Sequence, residues 1–303
     1  MATSAKTEPQ GRPDDLDIRP IGGQTGALIS GVTLSGDLPA ETIATIRAAL
    51  VQYKVVFFRG QNQMADVPLH QAFTQRFGAL QDHPFAKTSP VGYAIKMDSK
   101  SGSRANTWHT DMTYLDAYPA ASVLYGELIP PAGGDTMWAN MAAAYASLPE
   151  QLQRFAEGLR VVHTNSYSYA SERRDIASQQ IIDSVPPSGV LEAEHPLVRV
   201  HPESGERSLV LGTFFSHFVD FEAPDSQMLY NLFMRHATRP ENTIRWNWSV
   251  GDVAMWDNRA TMHYGVNDYG QQQRIVRRMT IAGDAPVSVD GRSSVLRIPG
   301  MKD

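Results

Sequence analysis

A histidine and an aspartate that stand two positions apart, His109 and Asp111, are the residues around which this sequence could build metal chemistry. In a β-strand, side chains two positions apart point to the same side, so an imidazole nitrogen and a carboxylate can face one point. One later histidine would complete a 2-His-1-carboxylate set, which suits non-haem Fe(II) and oxygen chemistry. The tripeptide alone is a weak motif, because a surface turn or a hydrogen-bonded pair also produces it, so the rest of the sequence must decide.

The composition of the 303-residue chain limits the chemistry available to it. The absence of cysteine excludes disulfides, thiolate metal sites and cysteine nucleophiles, so any metal needs histidine and carboxylate ligands, which favours Fe, Mn or Zn. A chain without cysteine fits a reducing compartment, and we expect a cytoplasmic protein. The net charge is −5, lysine and arginine are scattered, and no apolar run could span a bilayer, so we expect neither a nucleic-acid nor a membrane partner.

The sequence predicts one folded domain behind a short tail. Residues 1–15 are polar, contain proline and glycine and have no apolar stretch, which is typical of a disordered tail and not of a signal peptide. Residues 16–303 show no repeat, linker or break in composition, and their number is sufficient for a single large domain. The stretch 165–193 is polar and irregular, and we expect it to form a lid over the active site.

The hydrophobic pattern predicts many short strands and a few amphipathic helices. This mixture indicates an α+β, mainly β fold, in which a double-stranded β-helix (jelly-roll) core carries flanking helices. The predicted helices are 38–53, 65–77, 141–148, 149–159 and 225–237. The predicted strands are 16–20, 27–34, 55–58, 93–97, 120–128, 135–138, 160–164, 197–201, 208–211, 243–248, 253–256 and 274–282.

The C-terminal part of the chain supplies the histidine that the central motif lacks. The run from Gly251 to His263 reads GDVAMWDNRATMH and is followed by Arg274 and Arg278. Together with the WHTD run at 108–111, it resembles the Fe(II)/2-oxoglutarate-dependent dioxygenases of the taurine dioxygenase (TauD/TfdA) family. The resemblance covers nearly the whole chain after the tail. Two further runs carry it: VVFFRGQ at 55–61 and GGDT at 133–136.

Within the family, the sequence best matches the bacterial alkylsulfatase branch, on ANTWHTD at 105–111, PENTIRWNW at 240–248 and GDAPV at 283–287. The resemblance implies an enzyme that hydroxylates the carbon bearing the sulfate of an alkyl sulfate ester. The product then collapses to an aldehyde and free sulfate, while 2-oxoglutarate and O₂ yield succinate and CO₂. The substrate is thus a small organic anion. Relatives of this kind are commonly dimers or tetramers, so we expect a homo-oligomer.

The resemblance also assigns residues to the cofactors. Arg274 is implied to bind the far carboxylate of 2-oxoglutarate together with the hydroxyl of Thr136, and an arginine fork matches a carboxylate through two hydrogen bonds. Trp256 is expected to form a wall of this site, and Asn106 to belong to the same cofactor-binding set. Fe(II) is implied to be held by the catalytic residues His109, Asp111 and His263.

Four residues are implied to contact the substrate: His83, Met112, Phe214 and Arg278. Arg278 stands four positions after Arg274, so in a strand both point into one cavity. In this family the second arginine binds the anionic group of the substrate. The intervening Arg277 should point the other way and be solvated. Without the resemblance, His83 is typical of a solvated loop histidine and Phe214 of core packing.

The substrate and the reaction class have alternatives. Taurine-using members of the family have a tyrosine three residues after the equivalent of His83, whereas this chain has Ala86, which argues against taurine and for an alkyl tail. The same iron chemistry could serve another small anion, such as a sulfonate, an aryloxyalkanoate or an N-acyl amino acid. A metal-binding sensor without turnover is disfavoured because all three ligands and Arg274 are present. A zinc hydrolase would leave Arg274 and Thr136 without a function.

Overall fold

The computed structural model describes residues 13–81, 94–101, 104–166 and 190–297. Its strands β1 to β17 are, in order, Asp17–Pro20, Ala27–Ser30, Val55–Phe58, Ile95–Asp98, Ala121–Leu128, Thr136–Asn140, Arg160–Thr164, Glu192–Pro196, Val198–Val200, Arg207–Leu209, Phe215–Phe218, Thr243–Trp246, Val253–Asp257, Thr261–Gly265, Ile275–Ile281, Val287–Ser288 and Val295–Arg297. Its α-helices α1 to α5 are Ala40–Tyr53, Val67–Gln75, Met141–Ala146, Glu150–Glu157 and Ala223–Ala237. Within the described ranges, every helix is too short or too polar to cross a membrane.

The largest sheet brings the middle and the end of the chain side by side. Among the described residues its strand order is β1-β2-β3-β13-β5-β15-β4. β13 lies between β3 and β5 and pairs antiparallel with both, and β15 pairs antiparallel with β5. All residues of β13 and β15 are buried, so both faces of these strands are covered by packing. The sheet therefore places side chains of β13, β5 and β15 next to one another.

A second layer packs against this sheet through aromatic side chains. It contains the sheet β12-β6-β14, in which Trp138 lies on β6 and Trp246 on β12. Trp138 meets Phe57 of β3 edge-on, with ring centroids 5.3 Å apart, and lies 5.8 Å from Trp256 of β13. Trp246 stacks on Phe57 at 4.2 Å. Two layers of mainly antiparallel strands that pack through this aromatic cluster, with helices outside, confirm the predicted mainly β jelly roll.

Helices cover both flanks of these layers. On α1, Ile43, Ile46 and Leu50 recur at three- and four-residue spacing and are buried in one cluster with residues of β3. The helix ends at Lys54, whose φ of 68° is left-handed and whose N–H donates to the carbonyl of Leu50 at 2.8 Å. This turn leads the chain directly into β3. Helices α3 and α5 contribute buried side chains to a second cluster that also holds Met262 of β14.

Arg277 departs from its prediction. It points away from Arg278, as the alternation along β15 requires, but it is 6% exposed and not solvated. Its guanidinium donates to the carbonyl of Ala65 at 3.0 Å and to that of Met64, and it lies 5.3 Å from the ring centre of Tyr125. The prediction of a solvated side chain was wrong because a 3-10 turn covers this face of the sheet and presents buried carbonyls to it.

Five strands of the structure were not predicted: β8, β11, β14, β16 and β17. The strand β14 was not predicted, because five residues that follow a turn and end in glycine give a weak strand pattern. In the predicted lid 165–193, Asn165 Oδ1 accepts a hydrogen bond from the backbone of Leu191 at 2.9 Å, and β8 already begins at Glu192. Residues 167–189 lie outside the described residues. The last three residues of the predicted tail, Pro13–Asp15, form a 3-10 helix, and residues 1–12 lie outside the described residues.

Candidate metal centre

His109, Asp111 and His263 come together in the structure. One possible ligand atom from each lies within 4.8 Å of the other two, and all three residues are buried. His109 and His263 form an isolated antiparallel bridge: the N–H of each donates to the carbonyl of the other, at 3.0 Å and 2.7 Å respectively. Their ring centroids are 4.1 Å apart. The backbone pairing therefore sets the spacing of the two imidazoles.

The central motif does not form a continuous strand. His109 forms the bridge, but Asp111 already lies in a turn, and Met112 has a left-handed φ of 50°. The hydroxyl of Thr110 donates to the carbonyl of Thr261 at 2.7 Å and ties this turn to β14. Asp111 thus faces the two histidines because the chain turns, and not because of a two-residue strand period. A left-handed non-glycine residue costs roughly 1 kcal/mol, which the surrounding contacts must offset.

The ring of His109 is held in one tautomer. Its Nδ1 lies 2.7 Å from the carbonyl oxygen of Thr107. A carbonyl only accepts, so Nδ1 carries the hydrogen and the lone pair of Nε2 is free for a metal. Burial lowers the pKa of His109, and burial together with the neighbouring His109 ring lowers the pKa of His263 well below its usual range. Both imidazoles are therefore in the neutral form that metals bind.

Asp111 is ionised although it is buried. Its Oδ2 accepts a hydrogen bond from the hydroxyl of Ser122 at 2.7 Å, and its Oδ1 accepts one from the guanidinium of Arg278. Burial alone would raise its pKa, but Arg278, the two histidines and Ser122 hold the pKa of Asp111 well below its usual range. The centre thus presents one negative charge and two neutral nitrogens.

This donor set fits a divalent transition metal. Two imidazole nitrogens and one carboxylate are the facial ligand set typical of non-haem Fe(II). His263 Nε2 and Asp111 Oδ1 lie 3.8 Å apart, which is beyond hydrogen-bonding distance, so both atoms can face one cation. The ligand types alone also suit zinc, so the choice of metal depends on what else lines the site.

A second polar group, built around Thr136 and Arg274, lines the same cavity as the two histidines. Arg274 donates from Nε to the carbonyl of Gly134 at 2.7 Å and from Nη2 to Thr136 Oγ1 at 3.2 Å. The indole N–H of Trp248 donates to the same oxygen at 3.0 Å. Gly134 has a φ of 72°, and a Cβ there would lie 2.9 Å from Arg274 Cδ, so the second glycine of the GGDT run makes room for the arginine.

The predicted site residues fall into two groups. Trp256 and Arg278 also line the cavity, and the ring centroid of Trp256 is 4.7 Å from that of His263. Among the described residues, the cavity lining does not include four of the predicted ones: Asp111, Asn106, Met112 and Phe214. His83 lies outside the described residues, as does Ala86.

Asn106, Met112 and Phe214 are nevertheless close to the motif. Phe214 lies edge-on to His109, with ring centroids 6.4 Å apart. Met112 is 2% exposed and directly follows Asp111. Asn106 is half-buried and follows Ala105, which lines the cavity. Their predicted contacts with cofactor or substrate stay predictions.

Four residues that hold site residues in place were not predicted from the sequence: Thr107, Ser122, Trp248 and Asn258. Thr107 contacts His109 and Ser122 contacts Asp111, whereas Trp248 contacts Thr136 and Asn258 contacts Ser122 and Trp256. Asn258 lies within the WDNR run, so the motif contained it without indicating its role. Ser122 carries no signal in the sequence, because its contact with Asp111 depends on which strands pair in the large sheet. The hydrogen bond from Trp248 to Thr136 likewise joins segments far apart in the chain.

Two buried histidines hold the chain that follows the motif. His195 Nε2 lies 2.6 Å from the carbonyl oxygen of Thr113, and its Nδ1 lies 2.7 Å from the hydroxyl of Ser294. His163 Nδ1 lies 2.7 Å from Thr113 Oγ1. Burial lowers the pKa of His195 to about 4, so the ring is neutral near pH 7. Strands β7 and β8 therefore fix Thr113, two residues after Asp111, through neutral imidazoles.

Replacing His195 with glutamine should reduce the sensitivity of the fold to acid. In the unfolded chain its pKa is near 6.5, and in the folded chain about 4, so acid protonates the unfolded state first. The stability that depends on a neutral His195 is complete above pH 6.5 and is lost as the pH falls towards 4. We expect the gap in unfolding free energy between wild type and His195→Gln, measured in urea, to shrink by about 2–3 kcal/mol from about pH 7 to about pH 4.5. A gap of constant size would contradict this.

Comparisons with known proteins agree with this geometry. Residues 17–280 match the model of a family described as taurine catabolism dioxygenase TauD, TfdA family. The chain is 50% identical to the alpha-ketoglutarate-dependent sulfate ester dioxygenase of Pseudomonas putida over 92% of this chain and 94% of that one. It is 45% identical to the alkylsulfatase of Acinetobacter baylyi over 94% and 90% of the two chains. A solved taurine dioxygenase from Burkholderia xenovorans is 38% identical, with a TM-score of 0.79 over 94% of this chain and 96% of that one. The protein therefore belongs to the TauD/TfdA family, as its motifs indicated.

Proposed function

We propose that this protein is an Fe(II)- and 2-oxoglutarate-dependent dioxygenase that cleaves alkyl sulfate esters oxidatively. The observation that carries the proposal is one cavity lined both by metal-binding histidines, which Asp111 completes to a 2-His-1-carboxylate set, and by the Arg274–Thr136 pair. A zinc hydrolase has no need of that pair. Two relatives, a sulfate ester dioxygenase and an alkylsulfatase, support the substrate class.

The proposed reaction replaces a hydrogen by a hydroxyl on the carbon that bears the sulfate. That hydroxyl then loses its proton as a carbonyl bond forms, and the bond between the carbon and the sulfate oxygen breaks with its electron pair on sulfate. The organic product is an aldehyde. Iron and 2-oxoglutarate, when bound, supply the oxidation: one atom of O₂ enters succinate, the other enters the hydroxyl, and CO₂ is released.

Thr136 has the hydrogen-bonding pattern of a carboxylate ligand. A threonine hydroxyl offers two lone pairs and one hydrogen. Its lone pairs accept from Arg274 at 3.2 Å and from Trp248 at 3.0 Å. Its hydrogen is therefore left to donate to an acceptor. A charged guanidinium beside a hydroxyl hydrogen is a complementary pair for the far carboxylate of 2-oxoglutarate.

Arg278 supplies a cation for the anionic group of the substrate. It is 8% exposed, lies on β15 and lines the same cavity as Arg274. One of its terminal nitrogens donates to Asp111, while within the described residues its buried Nε has no hydrogen-bond partner. An unpaired buried donor is costly, so an anion that accepts from it is favoured. We propose that Arg278, together with His83, selects sulfate and disfavours neutral substrates.

The second candidate is the same chemistry on a different small anion. The solved relative named a taurine dioxygenase, at 38% identity, favours a sulfonate. Against taurine itself stands Ala86, where a tyrosine would be needed beside an amine. Binding of the anion by arginine and histidine does not separate a sulfonate from a sulfate ester, so the products must decide. The dimeric or tetrameric state and the cytoplasmic location stay predictions.

Sulfate release from medium-chain alkyl sulfates tests the proposed reaction. With Fe(II), ascorbate, 2-oxoglutarate and O₂, we expect sulfate and succinate in equal amounts, because each turnover consumes one 2-oxoglutarate. Taurine and an aryloxyacetate serve as alternative substrates, and an anaerobic sample as the control. Formation of succinate only when another anion is supplied would contradict alkyl sulfates as the substrate class. Sulfate formed without O₂ would contradict the iron mechanism.

Replacing Thr136 with valine should separate 2-oxoglutarate binding from substrate binding. Valine keeps the shape but removes the hydroxyl, and a hydrogen bond to a charged group contributes about 1.5–3 kcal/mol. We therefore expect KM for 2-oxoglutarate to rise roughly 10- to 100-fold, with KM for the alkyl sulfate near the wild-type value. The control Thr74→Val removes a buried hydroxyl that donates to the carbonyl of His70 within α2. Equal changes in both KM values would contradict the assignment of Thr136 to 2-oxoglutarate binding.

A further inference from the structure

A buried chain of four side chains runs behind the metal centre. The indole N–H of Trp256 donates to Asn258 Oδ1 at 2.9 Å, and Asn258 Nδ2 donates to Ser122 Oγ at 3.0 Å. The hydroxyl of Ser122 in turn donates to Asp111 Oδ2 at 2.7 Å. All four residues are at most 2% exposed, so water does not compete for these bonds.

The direction of each hydrogen bond in this chain is fixed by its first member. An indole nitrogen can only donate, so the atom of Asn258 that faces Trp256 must be its oxygen. The amide nitrogen therefore faces Ser122 and donates to it. Ser122 has a single hydroxyl hydrogen, and because its oxygen accepts from Asn258, that hydrogen is directed at Asp111. The indole of Trp256 thus orients a hydrogen bond to a carboxylate three side chains away.

The backbone places these groups rigidly. Ser122 on β5 and Trp256 on β13 are direct register partners in the large sheet. Asn258 follows β13, and its backbone N–H donates to the carbonyl of Ala120 at 2.9 Å. The ring of Trp256 also packs against His263, with centroids 4.7 Å apart. The same network therefore contacts one metal-binding residue through a hydrogen bond and another through a ring.

Asp111 is held with its two oxygens in different roles. Oδ2 accepts from Ser122, whereas Oδ1 accepts from Arg278 and faces His263 Nε2 at 3.8 Å. The hydrogen bond from Ser122 holds the carboxylate in the orientation in which Oδ1, and not Oδ2, is the oxygen that faces His263. Groups that orient a metal ligand typically change metal affinity 10- to 100-fold when they are removed.

We propose that Ser122 and Asn258 are positioning residues of the metal centre, which hold Asp111 as a one-oxygen ligand through Oδ1 and thereby set the affinity for the metal. The inference rests on the proposed function, in that it takes His109, Asp111 and His263 as the metal ligands. Neither residue lines the cavity among the described residues. Their effect passes entirely through the orientation of Asp111.

The affinity for Mn(II) measures this effect without turnover. It is determined on the full-length protein from the electron paramagnetic resonance signal of the free ion. Ser122→Ala removes one oxygen atom and is expected to weaken Mn(II) binding roughly 10- to 100-fold. Asn258→Asp keeps the shape and still accepts from Trp256, but it cannot donate to Ser122 and competes for its hydrogen. We expect the isosteric Asn258→Asp to lose at least as much affinity as Ser122→Ala, whereas a role in packing alone would leave it unchanged.

Two buried residues remote from the centre give matched controls. Ser208 of β10 is fully buried, and its hydroxyl has no hydrogen-bond partner in the described part of the chain. Asn242 is 2% exposed and donates to the carbonyl of His236. Ser208→Ala and Asn242→Ala should bind Mn(II) within about twofold of wild type. Wild-type affinity in Ser122→Ala would overturn the proposal, even if Asn258→Asp fails to fold.

The metal measurement separates this inference from the proposed substrate. Wild-type protein that binds Mn(II) tightly but releases no sulfate from any alkyl sulfate would overturn the proposed substrate alone. In that case a 10- to 100-fold lower affinity of Ser122→Ala for Mn(II) would still support the positioning role. Equal affinity in wild type and both variants, with normal sulfate release, would overturn the positioning role alone.

Discussion

The buried negative charge of Asp111 is the constraint on which the rest of the site depends. Moving a carboxylate out of water costs several kcal/mol unless donors and positive charge surround it. Here the hydroxyl of Ser122 and the guanidinium of Arg278 each donate to one of its oxygens. The two donors come from adjacent strands, because β5 and β15 pair in the large sheet. The order of strands in that sheet is therefore also a requirement of the site.

The two layers of the fold carry different residues of the site. The large sheet carries the groups that hold Asp111, and Arg274 stands just before β15. The smaller sheet carries His263 on β14 and Thr136 on β6. The backbone bridge between His109 and His263 fastens the central motif to that smaller sheet. A metal bound here would link His263 of the smaller sheet to Asp111, which the large sheet holds through Ser122 and Arg278, so metal binding and the closeness of the layers are coupled.

Neighbouring arginines on β15 show how one strand serves two purposes. Arg278 faces the cavity and pairs with Asp111. Arg277 faces the opposite side and satisfies the carbonyls of a 3-10 turn. Side chains alternate along a strand, so a shift of one residue in register would exchange these two roles. The antiparallel pairing of β15 with both β4 and β5 fixes that register.

Much of the fold and part of the site could be predicted from the sequence, and the failures have physical causes. Period-two and period-3.6 patterns predicted most strands and helices, and the resemblance to the TauD/TfdA family indicated His263, Arg274 and Arg278, which do line one cavity. Asp111 faces the two histidines because the chain turns at Met112, which local patterns do not show.

Other features depend on contacts between distant parts of the chain. The prediction that Arg277 is solvated was wrong because the turn that buries it lies more than two hundred residues away in the chain. The strand pattern around Arg277 does not indicate that contact. Ser122 was missed for the same reason, since a serine in an apolar strand gains its role only from the strand beside it. His83 and most of the predicted lid lie outside the described residues, so their roles stay predictions.

The most direct test of this account is a crystal structure of the full-length protein grown without O₂ in the presence of Fe(II) and 2-oxoglutarate. The account predicts iron bound by His109, by His263 and by Oδ1 of Asp111, with Ser122 still donating to Oδ2. It also predicts the far carboxylate of 2-oxoglutarate on Arg274 and Thr136. Iron bound elsewhere, coordination through Oδ2, or a 2-oxoglutarate carboxylate remote from Arg274 would contradict it.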